Sequence, residues 1–180
     1  VYRAIGGGYL FSTLWADMSG LYAVSASGGA SKRVSAHGQL PQFASRSDRV
    51  YFTDVDGGDE DERSLVSIAL DGTAERTHLK GVYFTEIQLS PDERWVAFRE
   101  KYKVFVAPFT FAGRPVDVGP KASNFPVKLV SRDAGDWLGW SGDSRTLHWS
   151  LGEALYTRDL SQTFAFAPGA PDSLVDAPLT

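Results

Sequence analysis

The sequence predicts an all-β fold assembled from about four copies of one antiparallel meander, and three observations carry that expectation. Three segments align with one another: Phe43-Ala-Ser-Arg-Ser-Asp-Arg-Val-Tyr-Phe52, Leu89-Ser-Pro-Asp-Glu-Arg-Trp-Val-Ala-Phe98 and Trp140-Ser-Gly-Asp-Ser-Arg-Thr-Leu-His-Trp149. Each opens on a large apolar residue, crosses a polar turn rich in Ser, Asp and Arg, and returns to an apolar strand that ends on an aromatic. Their starts at 43, 89 and 140 lie 46 and 51 residues apart, close to the period of one blade in a radially repeated sheet. A further strand-like stretch follows each copy, and helical periodicity is weak throughout.

Leu21-Tyr-Ala-Val-Ser-Ala-Ser-Gly-Gly29 matches Leu65-Val-Ser-Ile-Ala-Leu-Asp-Gly72, with Gly28 and Gly72 at the same place. The stretches Val104 to Phe109 and Leu155 to Leu160 complete this second family of strands. Upstream of Leu21, Tyr9-Leu10-Phe11-Ser12 is the expected partner strand, equivalent to Val50-Tyr51-Phe52-Thr53, so the first copy lacks its opening strand. Short outer strands follow at Lys32–Ser35, Glu75–Leu79 and Val127–Ser131. The stretch from Leu89 to Glu100 could be mistaken for a helix start, because Ser90, Pro91, Asp92 and Glu93 suit a helix N-terminus. Its relatives at 43 and 140 keep the strand-turn-strand layout without Pro91 and the paired acids, so it is a hairpin.

One unit is thus a four-stranded antiparallel meander, the blade of a β-propeller. The expected fold is a propeller of about four four-stranded blades, possibly a partial one. Blades fall near residues 5–40, 41–82, 83–132 and 133–163 of a repeat region spanning 1–163, and a Pro-rich linker or tail covers 164–180. A twisted sheet buries both faces only by stacking against neighbours, so Trp and Phe at matching positions are expected to pack between blades. An open stack would leave apolar faces and strand edges uncovered, and would dimerise or recruit the missing part.

Composition narrows the function. The 180 residues carry a formal charge of −4, which disfavours nucleic acid and anionic membrane surfaces as partners. The apolar runs are the length of single strands, too short for a membrane-spanning helix. Without cysteine, thiolate nucleophiles and cysteine-held metals are excluded. The chain opens on Val1 in strand-like sequence with no signal peptide ahead of it, which points to a processed chain or a piece of a longer one.

The turn Leu89-Ser-Pro-Asp-Glu-Arg-Trp-Val-Ala-Phe98, taken with Leu21 to Gly29, resembles the blade pattern of TolB-like propellers. In those, a Ser-Pro-Asp-Gly turn leads into an Ile-Ala-Phe type strand. Glu93 stands here where that family usually has Gly. Asp136 to Gly152, continuing through Leu155-Tyr-Thr-Arg-Asp-Leu160, resembles the last blade of the propeller that precedes the catalytic domain in bacterial amidohydrolase-related proteins. The resemblance implies an exported parent, periplasmic or secreted, in which this segment is a non-catalytic binding or scaffolding domain. Its implied partner is a protein or the parent's own catalytic domain. Two alternatives are a free-standing TolB-like interaction module and the gating propeller of a prolyl-oligopeptidase-type serine hydrolase.

The residues offer little chemistry of their own. Hydrolases of the implied class hold metal through a His-x-His pair, but His37, His78 and His148 fall in separate repeats, and His148 reads as a core or axis-facing ring. The acidic run 54–62 supplies the weak metal candidates Asp54, Asp56, Asp59 and Asp61. It fails the calcium-loop spacing, because Gly58 stands at the fifth position and Asp59 at the sixth. Gly6-Gly7-Gly8 lacks the Lys and the helix of a phosphate loop. Ser45, Ser90 and Ser141 read as turn-formers, and Asp92 and Asp143, sharing one place in the repeat, read as structural. No cofactor is expected.

Overall fold

A computed structural model describes residues 1–4, 19–45, 48–55, 61–122 and 125–170. Four sheets stack in chain order. The first holds β1 (Tyr2–Ala4), β2 (Gly20–Ala23) and β3 (Lys32–Ser35). The second holds β4 (Gln39–Phe43), β5 (Arg49–Val55), β6 (Glu62–Ala69) and β7 (Arg76–Val82). The third begins with β8 (Phe84–Leu89), β9 (Trp95–Glu100) and β10 (Lys103–Pro108). The loop after β10 carries β11 (Val116–Asp117) and then β12 (Lys128–Leu129). The fourth holds β13 (Asp136–Trp140), β14 (Thr146–Leu151) and β15 (Ala154–Asp159), followed by a 3-10 turn at Leu160–Gln162. These are propeller-type blades, each a meander from inner to outer edge, and the only helical segment among the described residues is that 3-10 turn.

The turns form where the repeat places them, and their side chains explain why. Ser90 Oγ accepts the Trp95 N–H at 3.0 Å and donates to Asp92 Oδ1 at 2.6 Å, while Asp92 Oδ1 takes the Arg94 N–H at 3.1 Å. Ser141 and Asp143 repeat this pattern toward Thr146 and Arg145 at 2.9 and 3.1 Å. Glu93 and Ser144 occupy the same place with φ of 55° and 61°, the left-handed conformation for which glycine is ordinarily chosen. Gly28 and Gly72, matched in the sequence, both have φ of 88°.

Packing follows the two-residue alternation of a strand buried on both faces. In β5, Val50 and Phe52 turn toward blade 1, where they join Leu21 and Val34. Tyr51 turns the other way, into a cluster with Phe84, Ile87, Val96 and Phe98 of blade 3. In β9, Trp95 and Ala97 face blade 4 and meet Leu138, Leu147 and Trp149. Three clusters therefore join blades 1–2, 2–3 and 3–4, and among the described residues none joins blade 4 back to blade 1. Over the described residues the stack is an open arc. The repeat aromatics Phe52, Phe98 and Trp149 are at most 1% exposed, as blade-to-blade packing requires.

Several details depart from the simple repeat. Among the described residues the sheets contain three, five, four and three strands, where four are expected in each. The fifth strand of blade 2 is β11, which the blade 3 loop lays parallel against β7, pairing Val116 with Leu79. It covers an edge that would otherwise present unpaired backbone. Beside β2, the partner place is taken by Tyr2–Ala4, where Tyr2 stacks on Tyr22 at 5.6 Å; the expected Tyr9–Ser12 lies outside the described residues. The tail does not leave the blades at 163. Phe164 and Ala167 are buried in the blade 3–4 cluster, and Phe164 stacks on Trp95 at 5.1 Å. The free face of blade 4 is mainly polar, with Thr146, His148, Ser150 and Thr157 alternating against the buried Leu147 and Trp149; its large apolar side chain is Leu155.

Candidate functional site

The first strands of three blades, β4, β8 and β13, share an inner edge, and side chains bridge the gaps between them. Gln42 Nε2 donates to the Ile87 carbonyl at 3.1 Å, and its Oε1 accepts the Leu89 N–H at 2.9 Å, so one amide side chain imitates two rungs of a strand pair. Trp140 Nε1 donates to the Gln88 carbonyl at 3.1 Å, and Glu86 Oε1 accepts the Leu138 N–H at 2.9 Å. These bonds satisfy inner-edge backbone groups that no neighbouring strand reaches.

Each inner strand also bulges near its start, with register shifts at Gln39/Gln42, Phe84/Glu86 and Asp136/Gly139. The bulges place Leu40 and Trp137 at φ of 48° and 56°, a backbone region bulky residues seldom adopt. Leu40, Glu86 and Trp137 each stand three residues before the repeat's opening residue, Phe43, Leu89 or Trp140. They meet around a mouth of about 330 Å³ that Thr85, Arg99 and Asp136 also line, a size that suits a small ligand or one protruding side chain.

The polar groups of the mouth are tied down. Arg99 pairs with the Asp136 carboxylate. It also donates from Nη1 to the Gly135 carbonyl at 3.3 Å and from Nε to the Thr85 hydroxyl at 2.6 Å, bridging blades 3 and 4. Glu86 is 8% exposed, and burial pushes its carboxyl above the usual range against the pull of the Leu138 N–H and the Arg99 charge. Trp137 lies between these two anchors, since Asp136 is held by Arg99 and the Leu138 amide by Glu86. Its side chain is 79% exposed. A large aromatic ring is thus presented to solvent on a fixed backbone, which lowers the ordering cost of binding.

The residues singled out by the sequence fall elsewhere. Asp54 pairs with His37 Nδ1 at 2.9 Å, and His37 Nε2 reaches Glu75 at 3.3 Å. The Asp61 carbonyl accepts the Tyr83 N–H at 2.7 Å, while Asp56, Asp59 and Gly6 to Gly8 lie outside the described residues. Among the described residues no group of three or more potential ligands is gathered for a metal. His148 is not a buried core residue. It lies half-buried over Gly139 on the free face of blade 4, because its strand alternation opposes that of Leu147 and Trp149. Asp92 and Asp143 complete their turns, and the turns link blades as well, with the Asp92 N–H on Ser144 Oγ at 3.0 Å and the Ser45 N–H on the Pro91 carbonyl at 2.7 Å.

One nucleophile–base pair emerges that the sequence did not suggest. Ser67 Oγ lies 2.6 Å from His78 Nε2. Arg49 Nε donates to the same hydroxyl at 2.8 Å, leaving the hydroxyl proton for the ring. Ser67 is fully buried, and His78 is packed by Tyr51, Phe109 and Phe111. Burial, then the charges of Arg49 and Arg76, push the ring down to about 4. A serine with no access to substrate makes this a structural pair. The mouth itself was missed because Leu40, Glu86 and Trp137 share a position but no chemistry.

No protein family matches the sequence, and no curated protein does either. A solved structure, the β-propeller domain of the trilobed protease from Pyrococcus furiosus, described as having an open velcro topology, aligns at 16% identity with a TM-score of 0.42. The alignment covers 68% of this chain and 38% of that one, so this chain spans well under half of that structure's length. The assignment of propeller-type blades rests on the four sheets and their interfaces.

Proposed function

We propose that this chain is a non-catalytic propeller-type binding domain, accessory to an exported amidohydrolase-like metal-dependent hydrolase, and that it works through the inner-strand mouth. The observation that carries the reading is Trp137, exposed at the meeting point of three blades on backbone fixed by Arg99–Asp136 and Glu86–Leu138. The Ser and Asp side chains of the repeat turns are engaged in holding those turns, which supports binding over catalysis. The resemblance of residues 136 to 160 to the last blade before a catalytic domain supports the parent enzyme and a periplasmic or secreted setting. In this reading the partner, the parent's own catalytic domain or another protein, lies around the mouth, and the domain orients or restricts a ligand's access through that shared interface.

The test combines light scattering with amide and ester hydrolysis assays on the chain alone, with and without added zinc or manganese. Metal-dependent turnover by the isolated chain would overturn the non-catalytic reading. A reading frame that continues past Thr180 into a His-x-His motif supports the parent. A continuation into Gly-x-Ser-x-Gly replaces it with a gating propeller, and a stop replaces it with a free-standing interaction module.

A further inference from the structure

Resting on the mouth as the binding surface, we infer that its ligand is a neutral saccharide ring stacked on Trp137 and hydrogen-bonded by Arg99, Asp136 and Thr85. Arg99 and Asp136 neutralise one another within the recess of about 330 Å³, and Glu86 is engaged by the Leu138 N–H, so the recess offers neither a cationic nor an anionic ligand an uncompensated counter-charge. A wholly apolar ligand would cover Arg99, Asp136 and Thr85 without replacing their water. What remains is a neutral molecule with one apolar face and a rim of groups that both donate and accept.

A sugar ring has that form. Its axial C–H bonds make a flat face that suits the indole of Trp137, which is 79% exposed. Its hydroxyls need donors and acceptors side by side. Arg99 carries five N–H donors, and its bonds to Asp136, Gly135 and Thr85 hold the guanidinium in place. The Asp136 side chain is 52% exposed and can accept from solvent-side hydroxyls, and Thr85 adds a hydroxyl at the rim. Leu40, from blade 2, adds apolar surface to the lining. Planar, pre-held polar groups beside an exposed aromatic ring favour a rigid polyhydroxyl ligand over a flexible chain, which would have to be ordered on binding.

The experiment titrates the chain with cellohexaose, xylohexaose, maltohexaose and mannohexaose, following tryptophan fluorescence and the indole N–H resonances. A lysine-rich and a glutamate-rich peptide serve as charged comparators. At least one saccharide is expected to bind, with Trp137→Ala weakening it by about tenfold or more and Trp137→Phe, which keeps the stacking face, staying within about threefold of the parent. Trp137 is outside the core, so unchanged circular dichroism shows that the variants remain folded. Absence of binding to all four sugars, equal binding by Trp137→Ala, or selective binding of a charged peptide would overturn the saccharide assignment. None of these outcomes touches the non-catalytic reading, which fails only through hydrolysis by the chain.

Discussion

Protonation of His78 should destabilise the fold, and the size of that effect separates a structural ring from a working one. The ring's ordinary value is 6.5, and in the folded chain it is pushed down to about 4 by burial first and by Arg49 and Arg76 after it. Between those values the unfolded chain holds more protons than the folded one, so stability falls as pH drops from about 7 toward 4 and levels off below. At 1.36 kcal/mol per pH unit, the gap is worth about 3 kcal/mol in full and about 1 kcal/mol at pH 5.5. His78→Gln removes the titration while keeping an acceptor for the Ser67 hydroxyl, 2.6 Å away in the parent. Urea unfolding of both proteins at pH 7.5, 5.5 and 4.5 isolates the His78 share from that of the carboxylates. The parent should lose about 2–3 kcal/mol more than the variant across this range. Parallel pH profiles would refute the reasoning, because they would mean that the ring titrates alike in both states, as an accessible general base does.

Other consequences are as direct. Gly38 has φ of 99°, and a Cβ there would fall far inside van der Waals contact with the Phe52 ring, so Gly38→Ala should cost about 3 kcal/mol or more in urea unfolding. Gln42→Ala removes both bridges to β8 and should cost about 1–3 kcal/mol, with faster hydrogen exchange at the Leu89 amide. Trp95→Ala should cost about 3–5 kcal/mol, and because Trp95 stacks on Phe164 and Phe166 at 5.1 and 5.8 Å, limited proteolysis should open the 160–170 segment first.

The turns and the strands after them were legible because they obey local rules. The Ser-x-Asp pattern closes its own hairpin through Ser90, Asp92, Ser141 and Asp143, and Gly28 and Gly72 announce a left-handed backbone by residue type. The left-handed Glu93 and Ser144 were less visible, since non-glycine residues there are tolerated only because the turn is held from both sides. The mouth was not legible. A bulge is a register slip decided by partners on another strand, and the bonds from Gln42 to Leu89 and from Glu86 to Leu138 span 47 and 52 residues. The parallel strand β11 is two residues long and carries no pattern of its own. His148 reads as a core or axis-facing ring from its place beside Trp149, whereas alternation on the face of blade 4 that no described blade covers leaves it half-buried.

Hydrogen exchange measured on this chain alone and again in the presence of its partner, or within the longer parent, tests the central claim most directly. If the inner-strand mouth is the working surface, exchange slows at residues 83–86, 99–102 and 135–139, while the turns at 90–94 and 141–145, at the opposite end of the same strands, are unchanged. Slowing confined to those turns, with the residues around Trp137 exchanging as before, would contradict the account.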